Sequence, residues 1–246
     1  MKYIALCSTI FLTSCAGLVS QNEYPSIEKE CEMSESNNSE PCKIASMNDW
    51  TEDEKEHHMG FVNFFPNTGV PQDCSKAKYW FEKAAKKGNA KSLDGLGGLY
   101  FTGCGVDRDF KKAEKYYLLA NERGSRNAMA NLGDLYHEGG YGLKEDPDKA
   151  MYWYQLAIED TPARAYSGIA NLYIDQENYE EAHKNIVKAA DLEYSEAEYN
   201  LGYMYYNGIF VKKDKEKAKY WFKKAAAQGY SDAQYYLNVL SEEAEQ

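Results

Sequence analysis

From residue 51 onward, small and apolar residues return at three- and four-residue steps, the spacing of one face of an α-helix. The stripes themselves recur. Ala77, Ala113, Ala150, Ala182 and Ala218 open similar stretches and stand 36, 37, 32 and 36 residues apart. Each is followed by large side chains and more alanine, as in Ala218, Trp221, Phe222, Ala225 and Ala226. Before four of them lies a second pattern: LGGLY at 96–100, LGDLY at 132–136, IANLY at 169–173 and LGYMY at 201–205. Each unit therefore predicts two amphipathic helices. Helix A carries Leu-Gly-x-x-Tyr, where the small residue lets helix B approach closely. Helix B carries the alanine and aromatic stripe and often ends at glycine, as at Gly88, Gly124 and Gly229, in keeping with a left-handed C-cap. One pair cannot bury its own apolar face, so the pairs must stack into an all-α solenoid.

The glycines in NLGDLYHEGGYGLKEDPDKA, residues 131–150, pose the main alternative. Dense glycine also builds phosphate-binding loops, but no strand precedes Gly139, Gly140 and Gly142 and no Gly-Lys-Ser/Thr follows. They predict a turn between helix A and helix B, with Leu143 plugged onto the core. Asp146 then serves as N-cap, with Pro147 in the first turn. With AEYNLGYMYYNGIFVKKDKEKAKYWFKKAAAQG at 197–229, this pattern resembles the Sel-1-like repeat, a relative of the tetratricopeptide repeat. The resemblance covers about residues 52–240 and implies a right-handed α/α solenoid of helix-turn-helix repeats, about five pairs, in a domain spanning 51–246. The first unit, with HHMGFVNFFPNTGV, is degenerate, and SDAQYYLNVL at 231–240 is a lone helix A that caps the stack. The unit around Ala182 is short: 9 residues separate Tyr173 from Ala182, against 13 or 14 in its neighbours, a tetratricopeptide-like spacing.

The N-terminus reads differently. Lys2 and an apolar run from Ile4 to Leu12 make a signal peptide over 1–14, too short for a stable membrane span. Leu12-Thr13-Ser14-Cys15 resembles the bacterial lipobox, which implies lipidation of Cys15 as the first mature residue. No Asp follows Cys15 directly, so the resemblance implies an outer-membrane lipoprotein facing the periplasm of the cell envelope. Residues 15–50 are rich in Ser, Asn and Glu and predict a flexible tether.

Composition narrows the function. The 246-residue chain has a net charge of −11, which argues against nucleic-acid binding, since that needs clustered Lys and Arg. Of six cysteines, four remain after signal removal and lipidation: Cys31, Cys42, Cys74 and Cys104. Three pairings are open. Cys31–Cys42 closing a short loop and Cys74–Cys104 joining neighbouring repeats are favoured, because metal-ligand spacing is missing. His57 and His58 point about 100° apart on a helix, and His137 and His183 lie in different repeats, so no metal site is expected. Neither Gly-x-Ser-x-Gly nor His-Glu-x-x-His occurs. A Ser-x-x-Lys at 26–29 lies in the tether without the motifs that would accompany it in a β-lactamase. No catalytic residue and no cofactor are expected. The charge runs EDEKE and KKDKEKAK read as solvated faces.

What remains is a binding surface. Solenoids of this kind bind along the groove lined by helix A. The tetratricopeptide framework points four positions per repeat inward: Ala130, Asp134, His137 and Glu138; then Ser167, Asn171, Ile174 and Asp175; then Tyr199, Tyr203, Tyr206 and Asn207. The cap adds Tyr235 and Val239. The groove thus changes from acidic to tyrosine-rich, and Tyr is enriched at binding hot spots, although Tyr203 and Tyr206 equally suit packing. The expected function is a non-catalytic, lipid-anchored module for a protein or peptide partner. Its sharper form, by architecture alone, is an immunity protein against a secreted toxic effector. The alternatives are a β-lactamase-like or cell-wall-active enzyme and an envelope assembly scaffold.

Overall fold

The computed structural model describes residues 24–34, 38–66 and 68–244. The signal peptide, the lipobox and Cys15 lie outside them. Among the described residues the chain is all-α, with thirteen helices. It divides into two compact units, Met1–Leu99 with Cys104–Val106, and Tyr100–Gly103 with Asp107–Gln246.

The first unit opens with two short helices, α1 (Ile27–Glu32) and α2 (Glu40–Ala45), within the segment read as a tether. That reading fails for residues 24–34 and 38–50. Ile27 and Ile44 are fully buried against Met59 and Trp80. Cys31 and Cys42 are disulfide-bonded, with Cα atoms 4.6 Å apart. Two apolar anchors and one crosslink order a stretch whose average composition is that of a linker, because burial depends on where the few apolar residues fall. Ser26 of the Ser-x-x-Lys tetrad is the N-cap of α1 and accepts from the Lys29 amide. Next come α3 (Glu52–Phe64), opened by a capping box of Thr51 and Glu54, and α4 (Cys74–Lys86). A second disulfide joins Cys74 at the start of α4 to Cys104, their Cα atoms 5.3 Å apart. The Phe81 ring lies against Gly60 of α3 and Gly95 of α5 (Ala90–Thr102), where an added Cβ would come within 2.4 and 2.7 Å of it. Glu56, the last residue of EDEKE, is not solvated. It is fully buried and paired with Lys83 and Lys87 of the α4 end, at 3.0 and 2.9 Å.

The second unit stacks helix pairs as the repeat requires. After α6 (Phe110–Glu122) come α7 (Ala128–Glu138) with α8 (Pro147–Ala157), α9 (Pro162–Asp175) with α10 (Tyr179–Asp191), and α11 (Ser195–Asn207) with α12 (Lys215–Ala227). Helix α13 (Ser231–Ala244) packs on α12 as the cap. Asp109, Asp146, Asn178 and Asp214 cap the successive B helices by accepting an amide three residues on. The short unit closes through residues 176–178 alone, with Glu177 at φ 56° taking the left-handed conformation that neighbouring units give to glycine. The α7–α8 turn is the glycine turn expected: Gly139, Gly140 and Gly142 have φ 60°, 99° and 90°. Gly140 and Leu143 exchange two backbone hydrogen bonds, and Leu143 packs on the core. That core centres on Leu132, Leu135, Tyr154 and Leu172.

Candidate functional site

Helix B carries an aromatic four residues after its alanine: Phe81 in α4, Tyr117 in α6, Tyr154 in α8 and Phe222 in α12. At Tyr154 this ring lies between Gly133 of α7 and Gly168 of α9. A Cβ on either glycine would sit 2.4 or 2.3 Å from ring carbons, so only glycine leaves room. The ring is 1% exposed. A phenylalanine would end there, but the Tyr154 hydroxyl continues and donates to Asp134 Oδ1 at 2.7 Å. Burial first, then the Asp134 carboxylate, pushes the hydroxyl far above its ordinary value, so it stays a donor. The other Asp134 oxygen accepts from Nη2 of Arg164, from the first turn of α9. Burial alone would lower the Arg164 guanidinium; the adjacent carboxylate more than reverses this.

This triad lies in a cavity of about 510 Å³ that the side chains of α7, α9 and the start of α11 surround. The cavity brings together Asp134, His137, Glu138, Ser167 and Asn171, five of the residues placed in the groove by repeat position. Phe101, Tyr154, Arg164, Gly168, Tyr194 and Glu196 complete it. His137 Nε2 lies 2.6 Å from Asp175 Oδ2 at the edge. Glu138 meets Arg108 only at 3.8 Å. Burial, then Glu196, raises the Tyr194 hydroxyl, which also keeps it protonated. Ala130 is not in the groove; it is buried with Ala157 and Ala165. Ile174 is exposed.

Arg164 and Tyr154 escaped the positional rule because it assigns helix A turns one repeat at a time. A signal was present. Tyrosine stands at Tyr117 and Tyr154 where Phe81 and Phe222 occupy the same repeat position, and a buried hydroxyl needs a partner. Arg164, Ser167 or Gly168, and Asn171 also follow the three- to four-residue spacing of one helix face.

The C-terminal tyrosines form a second cluster. Tyr199 stacks on Tyr230 with centroids 4.8 Å apart, and Tyr236 stacks on Phe222 at 5.0 Å. Tyr199 and Tyr206 are partly buried against this core, and burial pushes the Tyr199 hydroxyl up to about 12. Tyr206 donates to Glu243 at 2.9 Å, and Asn207 turns back onto the Tyr203 carbonyl at 3.1 Å. Tyr203 and Tyr235 remain open to solvent, 37% and 64% exposed. Packing thus takes Tyr199 and Tyr206, while Tyr203 and Tyr235 keep accessible faces.

The geometry holds carboxylates, one guanidinium, an amide and a hydroxyl around an open cavity. Such a set suits recognition by hydrogen bonds and charge. Among the described residues no three His, Cys, Asp or Glu side chains group as metal ligands.

Known proteins share this construction. A Sel1 repeat protein from Oxalobacter formigenes matches over 84% of this chain and 86% of its own, with 27% identity and a TM-score of 0.62. A protective antigen of uropathogenic Escherichia coli with an SLR fold matches over 81% of this chain and 42% of its own, with 26% identity and a TM-score of 0.52. An immunity protein, Pa5087 from Pseudomonas aeruginosa, shares the fold over 75% of this chain and 69% of its own, with 20% identity and a TM-score of 0.57. Among curated proteins, an ERAD-associated E3 ubiquitin-protein ligase component, HRD3B of Arabidopsis thaliana, is 36% identical over 78 residues, 30% of this chain. The matched stretch is 12% of that relative, and 22% of an uncharacterized protein, NMB1327, from Neisseria meningitidis. The Sel1 repeat itself matches residues 57–89, 90–125, 126–161 and 195–230, and passes over the short unit between. With more than half of its length matched, the chain belongs to the Sel1 repeat family.

Proposed function

We propose that this protein is a non-catalytic binding module that holds a protein or peptide partner on the helix A face of its second unit. The observation that carries this is the cavity at Asp134 and Arg164, where two glycines and a buried tyrosine are arranged to fix a polar surface that the core itself does not need. Sel1 repeats generally serve as interaction scaffolds, in line with this reading. The setting we propose is the periplasmic face of the outer membrane, with Cys15 lipidated, on the strength of Leu12-Thr13-Ser14-Cys15. Within that setting the partner is a secreted toxic effector and the protein its immunity factor. The immunity protein of the same fold supports the architecture for such a role, at an identity that speaks to fold alone.

The test is capture from an envelope extract with the full chain, followed by capture of candidate effectors expressed one at a time. A partner retained by the native protein and released by changes at Asp134 and Arg164 is expected. Retention of every partner by an Asp134→Ala/Arg164→Ala variant that keeps its helicity would refute the groove as the site. Growth protection against the effector that survives deletion of the repeats would refute the immunity role.

A further inference from the structure

We infer that the cavity at Asp134 receives a lysine or arginine side chain of the partner. This deepens the proposed function and rests on it. Three observations lead there. The first is charge. Asp134, Glu138 and Glu196 line the cavity against one guanidinium, Arg164. Asp134 is consumed by Arg164 and Tyr154. Among the described residues Glu138 has only the 3.8 Å approach of Arg108, and Glu196, engaged by the Tyr194 hydroxyl, forms no ion pair. The uncompensated sign is negative, which favours a cation at this open surface.

The second is the wall. Phe101 and Tyr194 present aromatic surface to the same space. An aromatic face attracts a cation and repels an anion, and it also covers the apolar stem of a long basic side chain. The unit uses this pairing elsewhere: Lys149 lies 4.8 Å from the centroid of Tyr136, and Lys188 lies 4.8 Å from that of Tyr166.

The third is an open hydrogen-bonding group. Ser167 is 3% exposed and lines the cavity, and among the described residues no side-chain hydrogen bond engages its hydroxyl. That hydroxyl faces a solvent-filled space and can accept from an incoming N–H donor. Asn171, one turn further along α9, lines the same cavity, and its amide group carries an acceptor oxygen. Two carboxylates, a hydroxyl and an amide oxygen together match the donors of an ammonium or guanidinium group.

The experiment probes the full chain on immobilised glycine-serine peptides that differ at one central residue. Lysine and arginine centres should retain the protein on the order of tenfold more than glutamine or glutamate centres. Glu138→Gln with Glu196→Gln should bring that ratio close to one. The control removes equal charge elsewhere, Glu122→Gln with Asp148→Asn, and should leave the ratio in place. Equal loss in both double variants would overturn the inference, since the net charge of −11 would then explain the retention. A preference for glutamate centres that falls with Arg164→Gln would overturn it in favour of an anion site. If no peptide is retained the inference also falls. Capture of a protein partner that E138Q/E196Q leaves unchanged would remove the cation site while the binding-module reading stood.

Discussion

Tyr154 reaches Asp134 by passing its ring between Gly133 and Gly168, and its hydroxyl donates to Oδ1 at 2.7 Å. One side chain therefore serves the core with its ring and the groove with its hydroxyl. Helix packing and the polar cavity are coupled at this point.

Tyr154→Phe removes the hydroxyl and leaves the ring. Asp134 keeps Arg164 but loses its buried donor, so stability should fall by about 1 kcal/mol. Urea denaturation of the native and variant proteins measures this. No change would mean that Asp134 is satisfied without Tyr154.

Gly168→Ala places a methyl group into the Tyr154 ring. Overpacking of this kind costs about 1–3 kcal/mol. The same substitution made on a Tyr154→Leu background should cost much less, because the ring it strikes is gone. A double-mutant cycle of thermal or urea midpoints reads the coupling, and additivity of the two changes would refute the contact.

Glu198 in α11 is fully buried and faces Lys224 at 3.0 Å, with Gln228 donating to it at 2.8 Å. Its hydrogen bond, with a smaller opposing contribution from burial, raises the Lys224 ammonium above its ordinary value. Lys224→Met strands the carboxylate and should cost about 2–3 kcal/mol. Adding Glu198→Gln should return most of that loss. Equal stability of the single and double variants in urea would contradict a charge effect.

His57 in α3 is largely buried near Phe81 and Ser92, and burial, followed by nearby positive charge, lowers it to about 4. The unfolded chain binds this proton more readily than the folded one. Its contribution is therefore complete above about pH 6.5 and is lost as pH falls toward 4, by at most about 3 kcal/mol. His57→Gln should flatten the drop in stability between pH 7 and pH 4.5. An unchanged slope would show that His57 titrates normally.

Cys31→Ser with Cys42→Ser opens the loop across α1 and α2. The crosslink spans 11 residues, and a loop of that size corresponds to about 2–3 kcal/mol. Since Ile27 and Ile44 cover Trp80, the variant should show red-shifted tryptophan emission at temperatures where the native protein does not. Unchanged emission up to the native unfolding midpoint would show that the two anchors hold without the bond.

The sequence by itself determined the helices, their pairing and the family, because each follows from local periodicity. Leu-Gly-x-x-Tyr and the alanine stripe set the buried faces, and Gly139, Gly140 and Gly142 could only be a turn once the flanking helices were placed. It also singled out Asp134, His137, Glu138, Ser167 and Asn171, which line one cavity, since one repeat's register carries to the next. Tertiary structure decided the rest. Arg164 and Tyr154 join Asp134 from two other helices, a meeting fixed by the distance between stacked pairs rather than by spacing along the chain. The same holds at the N-terminus. The linker-like composition around Cys31 and Cys42 said nothing of Ile27 and Ile44, whose burial depends on the surface that Trp80 offers them. Local pattern specifies which face turns inward; which side chains then meet depends on packing across elements, and that is where the candidate site was made.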